Sequence, residues 1–272
     1  MKQALSLSLV LFHCLFGSSV FAQDFDKGVA AVEAGDFQTA LNEWLPLVEE
    51  GDAQAQYRVG LLYEGGYGVQ ASKLEALRLY EMAAQQGNPS AQASIGRIYF
   101  YSDGSVVPKD YALAVHWLQL AAEQGNSSAQ YHLGRSYASG KGVQKDPSEA
   151  LRWYHLAAKQ DHAAAIEAIA SAYKSGWGVP KDERESIKWF RRAAEMGHPT
   201  AQLELGTAYA KGEGVPQNDV LAYMWLNLSV VSGFPMTEFR DQAAAKLTPD
   251  QRGEAQRMSS ICLESGYTKC GY

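Results

Sequence analysis

One spacing governs what this chain can fold into. Gly60, Gly96, Gly134, Ala170 and Gly206 recur at intervals of 36, 38, 36 and 36 residues. Tyr63, Tyr99, Tyr137, Tyr173 and Tyr209 keep the same steps, as do Leu79, Trp117, Trp153, Trp189 and Trp225. A period of this size belongs to stacked supersecondary units, none of which can bury its apolar face alone. The longer step falls in the loop Tyr101 to Val107, where Ser-Asp-Gly-Ser-Val-Val-Pro stands in place of the shorter Gly-x-Gly-Val-Pro seen at Gly176 to Pro180. The length of 272 residues therefore counts units rather than globules.

Each unit reads as two helices. The first begins after Asp52, Asn88, Asn126, His162 and His198, with Asn88-Pro89 giving an N-cap followed by a residue whose φ is pre-set for the first turn. It carries Ala55, Val59 and Tyr63 on one face. The second begins after Ser72, Asp110, Asp146, Asp182 and Asn218, all N-cap residue types. Glu75, Glu149 and Glu185 stand three residues after their caps, the capping-box pattern. The second helix ends on paired alanines before Gly87, Gly125 or Gly197, where a left-handed residue stops it. Residues 23–51 form a degenerate hairpin in the same register, since Asp36 lies 36 before Ser72. Thr237 to Leu247 and Thr248 to Ser260 read as two helices covering the far end within 234–272. The expected fold is all-α: a right-handed α-solenoid of stacked antiparallel helix hairpins, capped at both ends, with units at 52–87, 88–125, 126–161, 162–197 and 198–233.

The repeated pattern is Ala-Gln-x-x-Leu-Gly-x-x-Tyr, then Gly-x-Gly-Val-x-x-Asp, then Ala-x-x-Trp-x-x-x-Ala-Ala-x-x-Gly. It resembles the Sel-1-like repeat, a relative of the tetratricopeptide repeat, and fits most closely at Ala129 to Gly142 and Asp146 to Ala158. The resemblance implies an adaptor or scaffold, with exported bacterial members acting in the envelope, in secretion, in signalling or in host contact. It implies neither one reaction nor one ligand. The fourth unit departs most, with Ile166 for Gln and Ala170 for Gly, and the fifth has Ser229-Val230 for Ala-Ala.

Residues 1–22 read as a cleaved secretory signal: Lys2, an apolar run from Ala4 to Phe16, and Val20-Phe21-Ala22 before the cut. The run is shorter than the roughly 20 residues that span a bilayer. A lipidated Cys14 is the alternative, but Leu11-Phe12-His13 lacks the small residues that such a site needs. The expected location is periplasmic or secreted. Cys262 and Cys270 then remain, with Ser265-Gly266 between them to turn the chain, and an oxidising compartment would pair them. Closing so small a loop is worth roughly 2.5 kcal/mol in the chain-entropy model. The formal charge of −6 gives no basic field for nucleic acid.

Other motifs reduce to architecture. Gly-x-Gly at Gly66, Gly140, Gly176 and Gly212 lacks the preceding strand and third glycine of a phosphate cradle, and reads as an inter-helix turn. Ser171-Ala172-Tyr173-Lys174 matches the Ser-x-x-Lys of penicillin-recognising enzymes, and Ser102-Asp103-Gly104 matches part of a second element. The only Lys-Ser-Gly reuses Lys174, so one lysine would serve two roles. His116, His132, His155, His162 and His198 form no metal pattern, no acid–base pair of carboxylates is recognisable, and no cofactor is expected.

The first helices would line the concave surface, where Gln54, Tyr57, Arg58 and Leu61 point away from the apolar stripe. Equivalent positions hold Arg97, then Tyr131, His132 and Arg135, then Glu167, Ser171 and Glu204. The expectation is a basic, aromatic groove of Tyr57, Arg58, Arg97, Tyr131, His132 and Arg135 that binds an acidic peptide or protein segment. A second basic column, Arg78, His116, Arg152 and Lys188, lies on the other helices, so charge alone does not choose the face. A non-catalytic protein scaffold is the leading reading. A cell-wall saccharide module and a weak β-lactam hydrolase or binder are the alternatives.

Overall fold

A computed structural model describes residues 24–270. The expected signal segment, with Lys2, Cys14 and Ala22, lies outside the described residues. The described chain is helical throughout, as α1(Phe25–Glu33), α2(Phe37–Glu49), α3(Ala53–Gly65), α4(Lys73–Gln85), α5(Pro89–Tyr101), α6(Tyr111–Glu123), α7(Ser127–Ser139), α8(Pro147–Ala158), α9(Ala163–Ser175), α10(Glu183–Ala194), α11(Pro199–Lys211), α12(Asp219–Val231), α13(Glu238–Ala244) and α14(Pro249–Glu264). Each helix packs on its hairpin partner and on the next hairpin, so the molecule is a solenoid.

The caps hold as the sequence indicates, with one difference. Ser72, Asp146 and Asp182 accept from the backbone N–H of Glu75, Glu149 and Glu185. The glutamates do not reach back to complete the box. Each cap's own N–H is already taken by the carbonyl of the preceding repeat tyrosine, Tyr63, Tyr137 or Tyr173, at 2.9 to 3.0 Å. The carboxylates turn instead to Arg78, Arg152 and Lys188, one turn along the same helix. A complete capping box occurs at Thr248 and Gln251 on α14. His162 and His198 start α9 and α11 without a side-chain cap bond.

The two glycines of each Gly-x-Gly answer to different needs. Gly140 ends α7 at φ 73°, the left-handed stop, whereas a Cβ on Gly142 would sit 2.1 Å from the Tyr111 carbonyl at the start of α6. The repeat glycine within each first helix marks a third kind of contact. A Cβ on Gly134 would lie 2.6 Å from the Tyr154 ring, and Tyr80, Leu118 and Leu226 press in the same way on Gly60, Gly96 and Gly206. In the fourth unit Ala170 and Phe190, at the equivalent positions, are both buried in the same core, so that unit accepts the extra methyl. The Trp column takes the preceding position along the second helices and faces the neighbouring hairpin, as Trp153 does among Ala93, Leu118, Ala129 and Leu133.

A polar ladder runs through the core. Gln92, Gln130 and Gln202 each donate to the last turn of the preceding second helix, at Ala84, Ala122 and Ala194 carbonyls, all at 3.2 Å. Gln56, Gln92 and Gln130 accept from Gln86, Gln124 and Gln160. Unit four replaces both members, with Ile166 and Met196, and Arg192 Nη2 takes the glutamine's place at the Ala158 carbonyl, at 2.6 Å, beside the Asp161 N–H. The same guanidinium meets Asp161, a non-glycine residue at φ 56°. At the far end, α14 docks on α12 in the place that a further first helix would take. Its Ala255 and Cys262 are fully buried there and Ser259 nearly so. Cys262 is bonded to Cys270, and between them Tyr267 covers Gly197 and hydrogen-bonds Ser232 at 2.9 Å.

Candidate functional site

Consecutive first helices touch through side chains, which makes their outer face one continuous surface. Arg97 on α5 reaches Glu64 on α3, Lys174 on α9 reaches Glu204 on α11, and His198 at the start of α11 lies 2.9 Å from the Glu167 carboxylate. Tyr101 at the end of α5 takes a hydrogen bond from Arg135 Nη1 on α7.

The structure splits the expected groove into two parts. In the first part the basic character is cancelled. Glu64 accepts from Arg97 and from Tyr80, at 2.8 Å for the phenol, so Arg97 is an internally paired residue and not a free cation. Tyr57 leans on Tyr80 with centroids 5.8 Å apart, and Arg58 Nε is buried without a hydrogen-bond partner.

The second part gathers Tyr131, His132 and Arg135 with three residues that sequence reading did not place there: Tyr101, Tyr154 and His162. The Arg135 guanidinium lies 5.4 Å from the Tyr101 ring centre and 5.9 Å from that of Tyr131. Tyr131 stacks on His162 at 4.8 Å and tilts against Tyr154 at 5.9 Å. The Tyr101 hydroxyl lies 3.3 Å from His132 Nδ1. Among the described residues no carboxylate pairs with this group. The position that holds Glu64 in unit one holds Phe100 in unit two, buried at 5% exposure.

The electrostatics follow from that arrangement. Burial, followed by the positive charge of Arg135, brings the His132 pKa down to about 4, so the ring is neutral at pH 7. Burial raises the Tyr154 phenol, with Tyr131 adding to the effect. Burial also raises Tyr101, and Arg135 opposes the shift. His198 differs: its contact with Glu167 raises its pKa against the effect of burial.

The competing basic column is compensated. Arg78, Arg152 and Lys188 pair with Glu75, Glu149 and Glu185, and His116 sits edge-on to Trp117 at 5.5 Å. Among the described residues of these two columns, the arginines left without a carboxylate partner are Arg58 and Arg135, both on the first helices. Two surface clefts of about 720 and 310 Å³ open near the loops of units four and five. The lysines of the smaller one are bound to Glu204, Glu183 and Glu213.

Ser171 and Lys174 do not form a nucleophile and base. Ser171 is exposed, and the Lys174 ammonium is held by Glu204 of the next unit. Ser102 is buried and donates to the Val107 carbonyl, fastening the longer loop. Among the described residues no group of three or more His, Cys, Asp or Glu could hold a metal, and no helix is long and apolar enough to cross a membrane.

Against known families, the Sel1 repeat pattern matches residues 53–88, 89–126, 127–162, 163–198 and 199–230. A Sel1 repeat protein of Oxalobacter formigenes superposes with a TM-score of 0.70 at 32% identity, over 76% of this chain and 82% of that one. A protective antigen of uropathogenic Escherichia coli strains, displaying an SLR fold, superposes with a TM-score of 0.79 at 28% identity over 91% of this chain. A rat protein, DAP3-binding cell death enhancer 1, is 33% identical over 64 residues, 24% of this chain. The chain spans 55% of the length of the E. coli antigen and 13% of that of the rat protein.

Proposed function

Because the chain belongs to the Sel1 repeat family, we propose that it is an exported scaffold that binds a protein or peptide partner along the first helices of units one to three, in the cell envelope or outside the cell. One observation carries this reading. The inward positions of the first helices repeat in kind, as in Ala55, Ala91, Ala129, Ala165 and Ala201, all fully buried. Their positions off that stripe do not. Arg58, Ser94, His132, Ala168 and Glu204 occupy one column, and Leu61, Arg97, Arg135, Ser171 and Thr207 another. Stacking requires the first set and leaves the second free to specify a partner.

Export is supported by the apolar N-terminal run and by the Cys262–Cys270 bond, which an oxidising compartment favours. The unmatched positive charge at Arg135 favours an acidic partner surface.

The test is affinity capture from envelope extract with protein from residue 23 onward, comparing wild type with an Arg58→Glu, Arg135→Glu double variant of unchanged helicity. Arg97 is spared because its reversal would set two carboxylates against each other at Glu64. A single species retained by wild type and lost by the variant supports the scaffold and its face. Equal retention moves the site elsewhere, and retention on cell-wall saccharide with no protein bound overturns the reading.

A further inference from the structure

Arg97 and Arg135 occupy the same position in successive units, and both reach back toward the unit before. Arg97 finds a carboxylate there, Glu64, which is shared with the Tyr80 phenol. Arg135 finds Phe100 in the corresponding place and takes a phenol instead, the hydroxyl of Tyr101. The two sites share the arginine position, but the second has Phe100 for Glu64 and Leu118 for Tyr80, draws its phenol from Tyr101 instead, and lacks the anion. Arg135 bonds no protein group through Nη2 or Nε, and neither nitrogen is a buried orphan. Tyr101 is 46% exposed and Arg135 is itself partly exposed, so solvent reaches this pair.

We infer that Arg135, walled by Tyr101 and Tyr131, is an anchor for a glutamate or aspartate side chain of a protein partner, held by the guanidinium as Glu64 is held by Arg97 one unit away. This rests on the scaffold reading above and names the group that the scaffold recognises. The chemistry favours a carboxylate. A guanidinium offers parallel N–H donors matched to two oxygens, the Tyr101 hydroxyl can turn to donate, and the ring faces exclude water from the contact. The neutral His132 ring adds no competing charge.

The test is an NMR titration of the full mature chain, following the Arg135 Nε–Hε and His132 ring signals. The probes are N-acetyl-glutamate N-methylamide, whose only carboxylate is the side chain, and its glutamine analogue. N-acetylglycine and inorganic phosphate are added as separate arms. Saturable shifts are expected with the glutamate probe at millimolar concentration and none with the glutamine probe. Arg135→Gln should weaken binding by at least tenfold, while Arg135→Lys, which keeps the charge and loses the fork, should give a smaller loss. Glu64→Gln should release Arg97 and create a second set of saturable shifts around it.

Absence of saturable shifts at Arg135 overturns the proposal, as does equal binding of phosphate or N-acetylglycine. The scaffold reading is judged separately. A captured partner that ignores Arg135→Gln leaves the scaffold intact and removes this anchor, whereas loss of all capture alongside a positive titration removes the scaffold reading alone.

Discussion

The exchange seen in the fourth unit can be transplanted, and doing so tests why the core glutamine is there. Gln130 is 5% exposed, donates to the Ala122 carbonyl at 3.2 Å and accepts from Gln160 at 2.9 Å. Gln130→Ile would remove both bonds and leave that carbonyl only the Gly125 N–H, at a cost of about 1–3 kcal/mol for the two together. Isoleucine would recover about 1 kcal/mol through apolar burial. The expected net loss is up to about 2 kcal/mol, which in a chain of this size lowers Tm by up to about 8 °C. Leu156 occupies the position that Arg192 holds one unit later. Leu156→Arg alone should destabilise, because Leu156 packs against the core. In the Gln130→Ile background the arginine should reach the Ala122 carbonyl as Arg192 reaches Ala158, at 2.6 Å. A double-mutant cycle by chemical denaturation should then give a favourable coupling of about 1 kcal/mol or more. Strict additivity would refute the idea that Gln and Arg are alternative second donors to the same helix-end carbonyl.

Four further outcomes are expected. Replacing Cys262 and Cys270 together by serine should cost about 2.5 kcal/mol in the chain-entropy model and raise amide exchange around Tyr267 and Gly197, read by hydrogen-exchange mass spectrometry; unchanged protection would mean that the bond does not hold the tail. His132 is depressed in the fold to about 4, so its contribution is complete above the unfolded value near 6.5 and is lost as pH falls toward 4. That loss is on the order of 3 kcal/mol, and His132→Phe should flatten the acid limb of stability against pH. His198 is raised by Glu167, so its contribution is present below pH of about 6.5 and is lost as pH rises through the folded value; His198→Asn should remove that dependence. Trp225, fully buried, should cost about 3–5 kcal/mol on truncation to alanine, and half-buried Trp189 clearly less, as urea denaturation would show.

Much of the architecture was legible because it is local or periodic. N-caps, helix stops and the 36-residue step all leave residue types at fixed positions, and the disulfide needed only two cysteines and a turn between them. Two things were not legible. Periodicity placed Leu79 to Trp225 in the core, but the neighbouring column from Tyr80 to Leu226 is the one that touches the repeat glycines, and one residue of rotation separates them. Pairings such as Arg97 with Glu64, 33 positions apart, depend on where a long side chain crosses from one unit to the next. Counting charges along a column therefore overstated the basic groove. Tyr101 was missed because its helix runs into the longer loop, although its step of 34 to Arg135 is close to the repeat. His162 was read as a cap, and its stacking on Tyr131 depends on the unit before it.

The docking of α14 where a sixth first helix would stand bears on how such chains change over time. The last unit offers its lid much the same surface that every unit offers its successor, and the lid answers with small, buried side chains at Ala255, Ser259 and Cys262. Nothing in that joint counts how many hairpins precede it. Duplication or loss of one 36-residue segment would leave both ends able to close, so the number of hairpins can drift while the termini stay fixed. The reach of the outer face, and with it the span of the molecule that can lie along it, is then adjustable in whole steps without redesign of any contact.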